Sequence, residues 1–183
     1  MFHRTSTRLA AVLLAATLPL TACVSESDTL AGESSEDLEE SVEEKENEKP
    51  TFNVEETDPK VTDKITGESV EDPAMELSYK WQGTSSAGNG SVVVVAVTNK
   101  SDAPVPVDAL EPTLRYNTGN NDFTDASYIS DPEKADVDVV GIDRPLGPGA
   151  TTNAKFPFDV APGNLWDAEF TVGNVTFKGN LNN

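Results

Sequence analysis

Between residues 24 and 72 the chain carries eighteen acidic side chains against four lysines, a net charge of 4 − 18 = −14. A stretch so charged and so poor in apolar residues cannot bury enough surface to offset the conformational entropy lost on ordering it. Of the whole chain's net charge of −19, Arg4 and Arg8 in the first 22 residues account for +2, which leaves −7 for residues 73–183. The acidity is therefore concentrated in one segment, and residues 23–72 are predicted to form an expanded, disordered tether. Its 49 residues after Cys23 would reach about 160 Å fully extended, or about 40 Å as a flexible coil. A helix over residues 36–49 is the competing reading, but its apolar stripe is only Leu38 and Val42, about one turn. The charge argues against nucleic acid and anionic lipid surfaces as partners. A carboxylate run could still attract calcium loosely, or a basic partner.

From Pro73 the composition changes to short apolar runs separated by Gly, Pro, Asn and Asp. Met75, Leu77, Tyr79 and Trp81 alternate with polar residues, the period of a strand with one face on a core. Residues 83–90 are predicted to be a flexible turn. Residues 91–99 contain five valines and an alanine, apolar on both faces, which predicts a central strand. Leu110, Pro112, Leu114 and Tyr116 alternate next, with Pro112 suited to a strand start or an edge. Residues 137–142 and 151–160 are further strand candidates, separated by the turn-rich segment 144–149. Trp166, Ala168, Phe170 and Val172 share a predicted inward face, Gly173-Asn174 forms a tight hairpin turn, and Val175 and Phe177 close the fold. Seven or eight short strands in about 110 residues without a convincing helix predict an all-β antiparallel sandwich spanning residues 73–183.

The order Val92-Val93-Val94-Val95-Ala96-Val97-Thr98-Asn99-Lys100-Ser101, then Leu114-Arg115-Tyr116, then Leu146-Gly147-Pro148-Gly149 leading into Lys155-Phe156-Pro157-Phe158-Asp159-Val160, is similar to the telokin-like, immunoglobulin-like domains of bacterial secreted lipoproteins of largely unknown function. The resemblance spans residues 76–172 and implies an immunoglobulin-like β-sandwich. The disulfide cysteines of antibody domains are absent from this chain.

The N-terminus supplies an address. His3, Arg4 and Arg8 precede a twelve-residue apolar stretch, residues 9–20, broken only by Thr17 and Pro19. That length fits a signal-peptide core and falls short of the roughly 20 residues of a spanning helix. The tetrad Leu20-Thr21-Ala22-Cys23 resembles the bacterial lipobox, in which the cysteine receives a thioether-linked diacylglycerol and becomes the first residue after cleavage. The resemblance implies a signal peptide over residues 1–22, lipid attachment at Cys23, and a location on the outer face of the bacterial cell membrane. Cys23 is the sole cysteine of 183 residues, so no intramolecular disulfide can form. Two acyl chains meet the condition for stable anchoring. The alternative is an ordinary secretory signal with an incidental cysteine.

The sole histidine, His3, would leave with the signal peptide. Ser-His-Asp and Cys-His catalysis, and zinc or copper sites built from His or Cys, then have no residues to use. There is no Ser-x-x-Lys spacing and no glycine-rich phosphate loop between a strand and a helix. Remaining candidates are carboxylates: Asp122 with Asp125 flanking a loop, and Asp136 with Asp138 on one strand face. They suggest calcium or a carboxylate-based hydrolase, against the plainer reading of solvated turn residues. Trp81, Trp166, Phe156 and Phe158 could line a sugar groove, but their strand periodicity assigns them to the core.

No enzymatic activity, no cofactor, no resident metal and no small-molecule substrate is expected. The expectation is a monomeric binding or structural module of the cell envelope, anchored to membrane through Cys23, with a protein or envelope component as partner; a calcium-dependent or carboxylate-based envelope hydrolase is the alternative. Residues 117–136 are longer than a hairpin needs, and Phe123 and Tyr128 are their candidate partner-binding anchors. The competing reading makes residues 123–129 a strand with Tyr128 packed inward.

Overall fold

The structure, a computed structural model, describes residues 49–183. The expected signal peptide, Cys23 and the tether residues up to 48 lie outside the described residues. The described chain is an all-β sandwich of two sheets. One has five strands in the order β1-β9-β8-β5-β6, and the other four in the order β2-β3-β4-β7. The strands are β1 (Lys60–Thr62), β2 (Ser69–Glu71), β3 (Leu77–Ala87), β4 (Gly90–Asn99), β5 (Thr113–Asn117), β6 (Phe123–Asp125), β7 (Thr151–Phe158), β8 (Ala168–Val172) and β9 (Val175–Gly179). All neighbours pair antiparallel except β1, which runs parallel to β9.

The valine run forms β4, flanked by β3 and β7 in the middle of its sheet. Val93, Val95 and Val97 have no exposed surface and face the opposite sheet. Val92 and Val94 point outward, where Asp136, Val137 and Asp138 close over them, which explains why this strand is apolar on both faces. From the opposite sheet Phe170 meets the rings of Trp81, Phe156 and Phe158, with centroids 5.6–6.1 Å apart. Phe177 adds a further contact to Trp81. This aromatic cluster is the centre of the core, and tilted and edge-on pairs of this kind add about 0.5–1.5 kcal/mol each beyond area burial.

The polar end of β4 has a structural use. The Asn99 side-chain amide donates to the carbonyls of Ala103 (2.7 Å) and Leu146 (2.8 Å). Its oxygen accepts from the backbone N–H and hydroxyl of Ser101. One buried asparagine thereby fastens two loops that are joined to each other by a single backbone bridge, Val105 to Leu146.

Several expectations need correction. The fold does not start at Pro73: residues 60–71 supply β1 and β2, and Phe52, Val70 and Asp72 are buried. Charge averaged over the acidic segment hid the two apolar positions, Phe52 and Val70, that join the core. The turn expected at residues 83–90 is shorter, because β3 continues to Ala87 through a bulge between Trp81 and Gly83. Gly83 sits at φ 120°, and a β-carbon there would lie 2.8 Å from the Asn183 carbonyl oxygen. Residues 137–142 form no strand; a single bridge joins Gly141 to Lys155. Two short helical pieces were not expected: α1 (Pro132–Ala135), capped by the Asp131 carboxylate, and a 3-10 turn, Pro162–Trp166. Trp166 belongs to that turn rather than to the core, with 53% of its surface exposed.

If residues 49–72 belong to the fold, a chain starting at Pro73 should melt at least about 10 °C below one starting at Lys49, since it lacks two edge strands and the burial of Phe52 and Val70. Circular dichroism melts of the two chains check this. Equal melting temperatures would return these residues to the tether.

Candidate functional site

Asp72 follows β2 directly and turns the chain toward β3. Its Oδ1 accepts hydrogen bonds from the backbone N–H of Ala74 (2.9 Å) and Met75 (2.8 Å), an arrangement that aspartate commonly makes in turns. The Asn174 side-chain amide donates to the same oxygen (2.9 Å), while the Asn174 backbone N–H (2.9 Å) and the Tyr79 hydroxyl (3.2 Å) donate to Oδ2. Five donors from three parts of the chain converge on one carboxylate. Burial alone would raise its pKa, but the hydrogen bonds from Ala74, Asn174 and Met75 together outweigh it and hold the group below its ordinary value of 3.8. The same surroundings, burial first and then the neighbouring Asp72 charge, push the Tyr79 hydroxyl well above the ordinary tyrosine range.

Asn174 occupies the two-residue turn between β8 and β9, behind Gly173. Gly173 has φ 54°, and a β-carbon there would come within 2.8 Å of Asp72 Oδ2, so both the turn and the close approach require glycine. While Asp72 holds one side of Asn174, the other side holds the N-terminal segment. The Asn174 amide also donates to the Glu55 carbonyl (2.8 Å), its side-chain oxygen accepts from the Thr57 N–H (2.8 Å), and its backbone carbonyl accepts from the Lys60 N–H (2.9 Å). Residues 55–60 are thus pinned against the hairpin by a single asparagine whose own position is set by a buried carboxylate.

Pinning this segment creates a cleft of about 490 Å³. Residues 54–59 form one wall, residues 106–111 face them, and Met75 and the Gly173-Asn174 turn lie between. Val54, Pro59, Pro106 and Ala109 contribute apolar surface, and Glu55, Glu56, Asp108 and Glu111 contribute four acids; no Lys, Arg or His lines the cleft. Such a lining offers recognition chemistry: charge of one sign beside apolar surface. No three His, Cys, Asp or Glu residues among those described gather as a metal-binding group. The sequence signal for the cleft was faint. Asp72-Pro73 and Gly173-Asn174 are ordinary turn pairs, and 102 residues separate the partners.

The candidates read from the sequence fall elsewhere. Phe123 lies half-buried on β6, with Arg115 5.6 Å and Lys178 5.9 Å from its ring centroid. It stands beside a row of alternating charge that crosses four strands: Asp125, Arg115, Glu169 and Lys178. Tyr128 instead stacks on the core residue Phe158, centroids 5.5 Å apart, and bridges to it through backbone. Burial raises its hydroxyl pKa, though 36% of the residue remains exposed. The two rings therefore have different neighbours, and the long loop contains β6 and α1 rather than one continuous strand over residues 123–129. Asp136 and Asp138 do not share a strand face: Asp136 is the left-handed cap of α1, and Asp138 pairs with Lys155. Asp125 pairs with Arg115 at 3.5 Å.

Comparison with known protein families, with curated proteins and with solved structures finds no match for this chain.

Two predictions follow from this geometry. Because the folded-state pKa of Asp72 lies below its unfolded value, its stabilisation is fully present above the unfolded value and is lost as pH falls through the folded one. Replacing Asp72 with Asn should therefore cost about 1–3 kcal/mol at pH 7, and the deficit relative to the parent should shrink as pH drops below about 4. Urea unfolding at several pH values measures this, and a deficit independent of pH would refute the assignment. Phe123→Ala and Tyr128→Ala should each cost about 1–2 kcal/mol, below the 3–5 kcal/mol of a fully buried aromatic such as Phe170. A loss above about 3 kcal/mol for either would make that ring part of the core.

Proposed function

We propose that this chain is a lipid-anchored lipoprotein of the bacterial cell envelope whose β-sandwich serves as a binding module outside the membrane. The observation that carries the reading is Leu20-Thr21-Ala22-Cys23: the sole cysteine of the chain stands directly after small residues at the end of an apolar run too short to span a bilayer. A lone thiol on an exported protein is otherwise a liability, and acylation gives it a use.

The sandwich supports the module half of the proposal. Residues 49–183 assemble a core around Phe170 with no disulfide to depend on, as a domain displayed outside a membrane requires when its chain has one cysteine. The cleft beside Asn174 offers a concave surface of recognition chemistry, and it lies at the point where the acidic segment joins the fold. A partner bound there would be held close to the root of the tether. In this reading the acidic residues between Cys23 and the fold act as a spacer that sets the distance from the membrane.

Replacing Cys23 with Ala tests the anchor. The variant should be recovered in the soluble fraction and should no longer take up labelled fatty acid, while the parent stays with the membrane until detergent is added. Equal membrane retention of both would overturn the lipoprotein reading.

A further inference from the structure

The acidic cleft has features that select among occupants. One wall, residues 54–59, is held by hydrogen bonds between Asn174 and Glu55, Thr57 and the adjoining Lys60. Val54, Pro59, Met75, Pro106 and Ala109 line the cleft as well, so an occupant must bring apolar as well as charged surface. All four charged residues lining it are acids. The two occupants always at hand are the chain's own acidic segment and the sandwich of a second copy. Both carry net negative charge, −10 over residues 24–48 and −11 over residues 49–183, and both are repelled. A single divalent cation fits poorly, because no three His, Cys, Asp or Glu residues among those described gather as a metal-binding group.

From this combination we infer that the cleft binds an extended basic peptide, lysine or arginine side chains meeting Glu55, Glu56, Asp108 and Glu111 while an intervening apolar side chain rests on Val54, Pro106 and Ala109. A short peptide that alternates the two kinds of side chain sets an apolar group on the cleft between cationic side chains long enough to reach back to the acids that line it. The four acids would govern encounter rate and salt sensitivity, and the apolar lining would govern residence. The inference rests on the binding-module reading and is independent of the lipid anchor.

The test uses the full chain in solution and the heptapeptide Lys-Leu-Lys-Val-Lys-Leu-Lys as probe, with a glutamate-for-lysine peptide of the same length as control. Two variants each remove four charges: Glu55→Gln, Glu56→Gln, Asp108→Asn and Glu111→Gln in the cleft, against Glu33→Gln, Glu36→Gln, Glu39→Gln and Glu40→Gln in the acidic segment. The four cleft positions are solvent-exposed, so folding should be retained, which circular dichroism verifies. The cleft variant should bind the basic peptide at least about 10-fold more weakly, and the segment variant should stay within about 2-fold of the parent. Amide chemical shifts should move at Ala109, Gly173 and Asn174 on titration. Equal weakening by both variants would assign binding to bulk charge and overturn the inference. So would shifts mapping away from these residues, or saturable shifts of the same amides produced by calcium chloride alone. Loss of peptide binding with the Cys23 anchor intact would remove this site and leave the lipoprotein reading standing.

Discussion

A buried carboxylate held by hydrogen bonds rather than by a cation is the constraint on which this sandwich depends. Removing Asp72 from water is costly, and only its five donors make the burial tolerable. Those donors belong to the turn after β2, to β3 and to the β8–β9 hairpin. The cost of leaving the charge unsatisfied therefore enforces the approach of one sheet to the other at this end. Bonds to a charged group are stronger than neutral ones, and truncating one partner typically costs about 1.5–3 kcal/mol. In a fold without a disulfide, such a knot does for one end what the Phe170 aromatic cluster does for the middle.

The consequence reaches the surface through Asn174. Because Asp72 fixes both its backbone N–H and its amide, the remaining atoms of Asn174 present a fixed pattern of donor and acceptor to residues 55–60. Residues 54–59 then have somewhere to lie, and the cleft has a second wall. The buried carboxylate and the lining of the cleft are thus linked by two residues, Asp72 and Asn174. A binding surface at this position would be coupled to residues 55–60 through Asn174.

Much of the fold was legible in the sequence. The valine run gave β4, the alternation around Leu77, Tyr79 and Trp81 gave β3, and Gly173-Asn174 gave the last hairpin, because each signal is local and periodic. What escaped was carried by single residues outside any periodic run. Phe52 and Val70 sit among acids that dominate any average over the segment, and three-residue strands such as β1 and β2 leave almost no periodicity to read. Trp166 looked inward because it shares parity with Phe170, but the 3-10 turn breaks the alternation just before β8. The cleft was illegible for the same reason: its walls come from residues 54–59, 106–111 and 173–174, which only the folded topology brings together.

Amide hydrogen exchange read at individual residues tests the central claim most directly, that the Asp72–Asn174 knot incorporates the N-terminal segment into the fold. The N–H groups of Thr57 and Lys60, which donate to Asn174, should exchange slowly and in step with the Asn174 N–H. Exchange of Thr57 and Lys60 at the rate of an unstructured peptide, while β8 and β9 stay protected, would contradict the account.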